Sequence, residues 1–217
     1  MSIRVVLADD HRIMRQGLSS LLEKEQDIEV VAEADNGRQA VELARTQRPD
    51  VIVMDLSMPD LNGVEATRQI VGDDLAVKVL ALSMHSDRRF VAGVLGAGAS
   101  GYLLKDCALD ELIRAIRVVM AGQVYLSSGI AGTMVEGYVR RGVDDDSPLF
   151  NSLSAREREV LQLISEGKTT KETASALGVS VKTVETHRQQ VMNKLNIHSV
   201  AELTKYAVRE GLTSLEE

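Results

Sequence analysis

Polar residues stand directly after four apolar segments in the first half of this sequence. They are Asp9 and Asp10, Asp55, Ser83 and Lys105, which follow residues 3–8, 51–54, 77–82 and 101–104. Clustered carboxylates repel one another unless a cation lies between them, and a set of oxygen ligands suits Mg²⁺. A lysine beside the cluster adds a second positive charge. Brought together, these residue types predict a site that handles phosphoryl groups.

The apolar segments predict the strands that would position those residues. Residues 29–33 form a fifth segment of strand character, and amphipathic stretches lie between the five. Such alternation predicts an α/β fold with a five-stranded, doubly wound parallel sheet. The carboxyl ends of parallel strands lie along one edge, where ligands of such sheets bind. We therefore expect the polar residues to share one pocket.

The helical stretches are read from apolar residues at helical spacing. Residues 11–24 place Ile13, Leu18, Leu21 and Leu22 on one side of a helix, and residues 37–46 and 109–120 show the same pattern. These helices would cover the two faces of the sheet.

Length and composition bound the remaining possibilities. A chain of 217 residues is long for one domain and long enough to form two. The sequence has no apolar run of membrane-spanning length and no signal peptide, so we expect a cytoplasmic protein without a membrane partner. Its single cysteine, Cys107, excludes an internal disulfide and a zinc cluster built on cysteines.

The α/β pattern ends after Gly122. Residues 127–141 predict one more helix, and residues 142–152 combine acids, glycine and proline without periodicity, as linkers do. We therefore assign residues 1–125 to the first domain, residues 126–150 to a linker that contains a helix, and residues 151–217 to a second, all-helical domain.

Helix-capping residues mark the predicted starts and ends of the helices in the second domain. Three capping boxes pair a hydroxyl residue with an acid three positions later: Ser154 with Glu157, Thr169 with Glu172, and Ser199 with Glu202. Ser180 would cap a fourth helix, and Gly167 and Gly178 would end the first two. A short turn with glycine between two helices predicts a helix-turn-helix.

The helix at residues 181–195 has two distinct faces. Val181, Val184, His187, Val191 and Leu195 fall on one side, and polar residues that include Lys182, Thr186 and Gln189 fall on the other. Between Lys168 and Lys194 there are five basic residues and two acidic ones. Hydrogen-bonding side chains at the first turns of an exposed helix suit the major groove of DNA.

At this point the chain resembles a known family over nearly its whole length. Residues 1–125 resemble a bacterial two-component receiver domain through Asp9-Asp10, Asp55-Leu-Ser-Met-Pro59-x-x-x-Gly63, Ala81-Leu82-Ser83 and Gly101-Tyr-Leu-Leu-Lys105. Residues 150–215 resemble a LuxR-type helix-turn-helix through Leu153-Ser-x-Arg-Glu157, Lys171-Glu-Thr-Ala174 and Ser180-Val-Lys-Thr-Val-Glu-Thr-His187. The whole is therefore similar to a NarL/FixJ-family response regulator with a flavodoxin-like receiver. Thr173 departs from the pattern, since isoleucine is frequent there.

The resemblance implies roles for the receiver residues. Asp55 would accept a phosphoryl group from a phosphohistidine on a sensor histidine kinase. Asp10 and Asp55 would ligate Mg²⁺ directly, Asp9 through water and Ser57 through its carbonyl. Lys105 and Ser83 would bind phosphoryl oxygens, and Tyr102 would turn inward once the phosphate is present.

The resemblance also implies contacts with double-stranded DNA. Lys182, Glu185, Thr186 and Gln189 would meet base edges. Contacts to phosphates would come from Thr170, Lys171, Thr183, Arg188 and Lys194. A homodimer of the phosphorylated chain would bind two half-sites, and phosphorylation of Asp55 would free or pair the second domains to regulate transcription.

Two other functions were weighed against this one. A regulator that binds DNA without phosphorylation would not need the complete acidic set. A small phosphohydrolase that uses Asp55 as a covalent nucleophile needs a substrate cavity and an acid/base partner, which the sequence does not indicate, and it leaves the helix-turn-helix unexplained. We therefore expect no enzyme activity beyond acceptance and slow loss of the protein's own phosphoryl group.

Overall fold

The computed structural model describes residues 2–73, 75–106, 109–132 and 152–213, without the side chains of Arg89 and Leu109. These residues form two compact units, an α/β unit and an all-helical unit, and each is described by itself. Within these ranges, no helix is long and apolar enough to cross a membrane. Cys107, the linker at residues 142–151 and the end of the helix expected at residues 127–141 lie outside the described residues, although residues 128–132 are helical.

The α/β unit alternates strands and helices along the chain. Its elements are β1 (Ile3–Ala8), α1 (Arg12–Leu22), β2 (Ile28–Ala34), α2 (Gly37–Gln47), β3 (Val51–Asp55), α3 (Gly63–Gly72), β4 (Lys78–Ser83), α4 (Arg88–Gly96), β5 (Gly101–Leu104), α5 (Leu109–Met120) and β6 (Tyr125–Leu126). All strand pairs are parallel, in the order β2-β1-β3-β4-β5-β6. The predicted doubly wound parallel sheet is confirmed.

The sheet has six strands, so the expected count of five was wrong by one. Tyr125 and Leu126 pair with Gly101 and Tyr102 as a sixth strand at the edge beside β5. A two-residue strand carries no periodicity that a sequence could reveal. Its pairing depends on Gly101, because a Cβ atom there would lie 2.8 Å from the carbonyl oxygen of Tyr125.

Apolar side chains fill both faces of the sheet. Leu80 and Leu82 of β4 pack on one face with α1 and α5, and Ala81 between them packs on the other face with α4. Successive strand residues point to opposite faces, which explains why one strand supplies both cores. Ile13 differs from its prediction, since it is 86% exposed on α1.

Within residues 152–213, the all-helical unit contains four helices: α6 (Ala155–Ser165), α7 (Thr170–Leu177), α8 (Val181–Leu195) and α9 (Val200–Arg209). The capping boxes of α6 and α7 are complete, with both the side-chain and the backbone hydrogen bond in place. Ser180 caps α8 by accepting the N–H of Thr183. Ser199 accepts the N–H of Glu202, but the acid bonds the Ser199 hydroxyl, so the third box is only half formed.

A tight turn joins α7 to α8. Gly178 adopts a left-handed conformation with φ of 63°, and the guanidinium of Arg156 donates to the carbonyl of Leu177 at 2.6 Å. Val184 of α8 then packs among the side chains of α6 and α7, and Val191 and Leu195 pack with α9. The short connection and the shared core fix α8 against α7, which is the helix-turn-helix arrangement.

Candidate functional site

Three charged side chains meet in a buried pocket at the carboxyl edge of the sheet. The Nζ atom of Lys105 lies 2.7 Å from Oδ2 of Asp55 and 2.8 Å from Oδ2 of Asp9. The exposed fractions of these side chains are 7%, 2% and 3% for Lys105, Asp55 and Asp9. A lysine held between two carboxylates keeps their repulsion low and leaves the net charge of the group negative.

Strand order explains why residues so distant in sequence meet. Asp9 follows β1, Asp55 ends β3, and these strands are neighbours at the point where the strand order reverses. Lys105 follows β5, and its backbone N–H donates to the carbonyl of Ser83 at 2.8 Å. Ligand pockets of doubly wound sheets form at this switch point.

Asp10 and His11 extend the pocket towards solvent. Nδ1 of His11 lies 2.9 Å from Oδ1 of Asp10 and 3.2 Å from Oδ1 of Asp9. The guanidinium of Arg15 donates to the backbone carbonyl of Asp9, which anchors the start of this loop. Sequence reasoning did not include His11 and Arg15, although the direct succession of His11 to two acids was a visible signal for the first.

The pocket changes the acidity of its members. Burial raises the pKa of Asp55 to about 6; the Lys105 ammonium opposes this rise and the Asp9 carboxylate adds to it. Burial acts to lower the pKa of Lys105, but Asp55 and Asp9 outweigh it and hold the pKa above its ordinary value. At neutral pH, Asp55 is therefore mostly an ionised, poorly hydrated carboxylate, and Lys105 is an ammonium.

The residues fit a divalent cation. One ligand atom from each of Asp9, Asp10, His11 and Asp55 lies within 4.8 Å of the others. Three of these four are carboxylate oxygens, the donors that Mg²⁺ prefers. The carboxylates outnumber the one ammonium of Lys105, so the group keeps a negative charge that a cation can offset.

Ser83, Ser57 and Tyr102 surround the pocket. Ser83 is fully buried, and its Oγ accepts the N–H of His85 at 3.1 Å. The N–H of Ser57 donates to Oδ1 of Asp55 at 3.1 Å. Tyr102 occupies the inward position that the sequence analysis assigned to the phosphorylated form, and its hydroxyl donates to the carbonyl of His85 at 2.6 Å. Burial raises the pKa of Tyr102 to about 12.

The second candidate site is the outer face of α8. Lys182, Glu185, Thr186 and Gln189, which were predicted to meet base edges, are all exposed on this face. Two of the residues predicted on its buried side differ from that prediction. Val181 is 38% exposed at the first turn, and His187 is half-buried with Nδ1 3.2 Å from Oε1 of Gln190.

The residues predicted to meet DNA phosphates differ in their exposure. Lys171 is exposed, and Thr170, Thr183 and Arg188 are half-buried. Lys194 has a different environment, because its Nζ donates to Glu157 at 2.7 Å and to the carbonyl of Ser152 at 3.0 Å. The structure thus gives Lys194 a role inside the unit that sequence reasoning did not find.

Two family descriptions match the chain. "Response regulator receiver domain" matches residues 5–117, and "Bacterial regulatory proteins, luxR family" matches residues 151–207. The chain belongs to the NarL/FixJ family of response regulators. Its receiver domain implies a sensor kinase as partner, and its LuxR-type domain implies DNA. The chain is therefore a two-component response regulator that acts in transcription.

Relatives and solved structures agree with this assignment over the full length. Response regulator UvrY of Escherichia coli K12 is 42% identical over 214 residues, which cover 99% of this chain and 97% of UvrY. Oxygen regulatory protein NreC of Staphylococcus epidermidis is 40% identical over 215 residues, covering 97% of this chain and 99% of NreC. The structure of RcsB from Salmonella typhimurium is 26% identical with a TM-score of 0.59, covering 96% of this chain and 99% of RcsB.

Proposed function

We propose that Asp55 is the residue that accepts the phosphoryl group. An oxygen of its carboxylate attacks the phosphorus of a phosphohistidine on the sensor kinase, the N–P bond breaks, and an acyl phosphate forms. The observation that carries this proposal is the burial of an anionic carboxylate 2.7 Å from the ammonium of Lys105. A lysine in this position stabilises the negative charge of the phosphoryl oxygens during transfer.

We propose Mg²⁺ as the cation of this pocket, with Asp10, Asp55, Asp9 through water, and the carbonyl of Ser57 as its protein ligands. The ion supplies positive charge to phosphoryl oxygens during transfer. The chain's own residues do the positioning: the Ser57 N–H fixes Oδ1 of Asp55, and Lys105 fixes Oδ2. Ser83 would donate its hydroxyl hydrogen to a phosphoryl oxygen on Asp55.

The test is the intact mass of the protein after incubation with Mg²⁺ and a small phosphodonor. The native chain should gain the mass of one phosphoryl group, and Asp55→Asn should gain none. Asp110→Asn is a matched control, because it removes an exposed carboxylate of α5 and should be phosphorylated like the native chain. A phosphoryl group on the Asp55→Asn chain would contradict the assignment.

We further propose that the outer face of α8 reads DNA. Lys182, Glu185, Thr186 and Gln189 would contact base edges, and Thr170, Lys171, Thr183 and Arg188 would contact phosphates. The support for the base contacts is the exposure of Lys182, Glu185, Thr186 and Gln189 on a helix whose opposite side is packed into the unit. For Lys194, the pairing with Glu157 favours a structural role over the phosphate contact that the sequence analysis predicted.

DNA selected from a random duplex library by the phosphorylated native chain provides the test of this face. Lys182→Ala should weaken binding to the selected sequence and relax the preference at one or two base positions, because a base contact carries sequence information. Lys24→Ala removes the same charge from the α/β unit and should leave the preference unchanged. Native affinity and preference in Lys182→Ala would remove it from the interface.

The proposal extends to the oligomeric state, the cellular location and the domain boundaries of the protein. In a second RcsB structure, 25% identical to this chain with a TM-score of 0.59, two RcsB dimers are bound to two parallel DNAs. We propose that this chain also binds DNA as a homodimer once phosphorylated, and that it works in the cytoplasm, where its DNA is found. Its domains would be residues 1–125 and 151–217, with residues 126–150 as linker. Its phosphoryl chemistry would act on itself and not on a substrate.

A further inference from the structure

The loop after β4 links Ser83 to Tyr102 through the backbone of a single residue. The N–H of His85 donates to Oγ of Ser83 at 3.1 Å, and the carbonyl of His85 accepts the hydroxyl of Tyr102 at 2.6 Å. Ser83 and Tyr102 are both fully buried, whereas His85 is only half-buried. The backbone of His85 therefore helps to hold both buried hydroxyl groups, which also bond each other.

The imidazole of His85 is held by one aromatic partner. It stacks on the ring of Phe90, with ring centroids 4.3 Å apart and 16° between the planes. Phe90 lies in the first turn of α4, directly before Val91, which is fully buried in the core that also contains Tyr102. The stack thus joins a loop residue to a helix that is anchored in the same core. Stacked aromatic pairs contribute energy beyond the area they bury.

We propose that Phe90 is a positioning residue for phosphoryl acceptance, which acts by fixing His85 and through it the hydroxyl groups of Ser83 and Tyr102. This inference rests on the proposed role of Asp55 and Ser83 in that reaction. Phe90 is seven residues away from Ser83 in sequence, and no motif in the sequence connects the two.

The direction of the hydrogen bonds explains how this arrangement helps the reaction. A hydroxyl has one hydrogen to donate and two lone pairs to accept with. The N–H of His85 occupies one lone pair of Ser83, and the Ser83 hydroxyl itself bonds the hydroxyl of Tyr102. The hydroxyl hydrogen of Ser83 therefore passes from Tyr102 to an anionic acceptor when one is present. A phosphoryl oxygen on Asp55 is such an acceptor, since β3 and β4 are paired and Ser83 ends β4. A loose loop would have to order itself during transfer, which slows the reaction.

Two measurements on the full chain test this proposal. The first is the nitration rate of Tyr102 by tetranitromethane, located by peptide mass, which reports whether the ring leaves its buried position. The second is the rate of phosphorylation by a small phosphodonor with Mg²⁺. In Phe90→Ala, we expect Tyr102 to be nitrated faster and phosphorylation to slow by about threefold to tenfold, which matches the loss of one aromatic pair.

Four further variants make the test specific. His85→Ala keeps the backbone donor and acceptor but removes the imidazole, so it should reproduce the changes in Phe90→Ala, and the double variant should add little. Phe90→Tyr keeps the stack and should behave like the native chain. Met84→Ala is the matched control, since Met84 is in the same loop but its side chain is 72% exposed. If Phe90→Ala does not fold, the nitration and phosphorylation rates of His85→Ala test the role of the stack instead.

The outcomes separate this inference from the function on which it rests. Native nitration of Tyr102 in both Phe90→Ala and His85→Ala would overturn it, as would equal changes in Met84→Ala. Faster nitration with native phosphorylation rates would overturn it as well, because the loop would then have no part in the reaction. A native chain that gains no phosphoryl group from any donor would contradict the proposed function instead, while the nitration rates would still report on the stack.

Discussion

The pocket around Asp55 and the outer face of α8 differ in how far their functional side chains are exposed to solvent. In the pocket, the charged side chains of Asp9, Asp55 and Lys105 are at most 7% exposed and bond to one another at 2.7–2.8 Å. On α8, the side chains predicted to read bases are exposed, and the packing lies beneath them in residues such as Val184. Transfer of a phosphoryl group needs a site from which water has been removed, whereas reading a DNA groove needs side chains that extend into solvent.

Stability and ligand binding are coupled in the pocket but separate on α8. In the pocket, the atoms that bind the ligand are also the buried charges that lower the stability of the fold. A substitution there should therefore change both ligand binding and stability. On α8, the residues that would bind are separate from the residues that hold the helix, so a substitution should change one or the other.

Asp55→Asn should stabilise the α/β unit in the absence of divalent cations. Because the pKa of Asp55 is about 6 in the folded protein and 3.8 ordinarily, the folded state binds more protons between these values. The native chain therefore loses stability as pH rises from about 4 to 6, by up to about 3 kcal/mol for two pKa units. Asparagine does not ionise, so the variant avoids this loss.

Hydrogen exchange, measured region by region in the full chain at pH 5 to 8, gives the free energy of opening for β3. The advantage of Asp55→Asn should grow up to about pH 6 and then stay level, and Mg²⁺ should reduce it by stabilising the native chain. An advantage that is the same at every pH would show that the buried charge is not its cause.

Val184→Ala should affect the stability of the helical unit and Lys182→Ala its DNA binding, although the two residues are only two positions apart on α8. Val184 is fully buried, so its truncation should lower the stability of the helical unit by about 2 kcal/mol. Lys182→Ala should change stability by less than about 0.5 kcal/mol and should weaken only DNA binding. Regional hydrogen exchange and DNA titration on both variants check this, and a large loss of stability in Lys182→Ala would break the contrast.

Thr173→Val should stabilise the helical unit by about 1 kcal/mol, because a buried hydroxyl without a partner costs free energy. Thr173 is fully buried, and within the described part of the chain its Oγ1 has no hydrogen-bond partner. Thr204→Val is the control, since the hydroxyl of Thr204 donates to the carbonyl of Val200 at 3.0 Å. The midpoint of thermal unfolding should rise only in the first variant; a fall would point to an unseen partner, such as a water.

Lys171 and Lys194 should differ in the salt dependence of DNA binding. Lys171→Ala should reduce the slope of log affinity against log salt by about 1, as expected for one lost phosphate contact. Lys194→Ala should leave this slope unchanged and instead destabilise the unit, because Glu157 would lose the partner that it contacts at 2.7 Å. A reduced slope in Lys194→Ala would restore the phosphate contact that the sequence analysis predicted.

Much of the fold could be predicted because its signals are local. Apolar segments and caps predicted β1 and β5 with the bounds that the structure shows, and the extent of α8 likewise. The helical wheel was less reliable, since it gives the direction of a side chain but not the width of the surface that covers it. Ile13 and Val181 therefore proved exposed although they lie on apolar sides.

The pocket was predictable as a set of residues but not as a set of bonds. Because Asp9, Asp55 and Lys105 stand at the ends of strands, the sequence alone predicts that they lie together. The stack of His85 on Phe90 and the bond between Tyr102 and the His85 carbonyl depend on the path of one loop. Such tertiary contacts leave no spacing pattern in a single sequence.

The short strand β6 has a consequence for self-association of the protein. It covers the edge of β5, whose backbone groups would otherwise be open to a strand from another molecule. A methyl group at position 101 would lie 2.8 Å from the Tyr125 carbonyl oxygen, so β6 would have to shift away from β5. We therefore expect Gly101→Ala to promote self-association of the chain at high concentration, an effect unrelated to phosphoryl transfer or DNA.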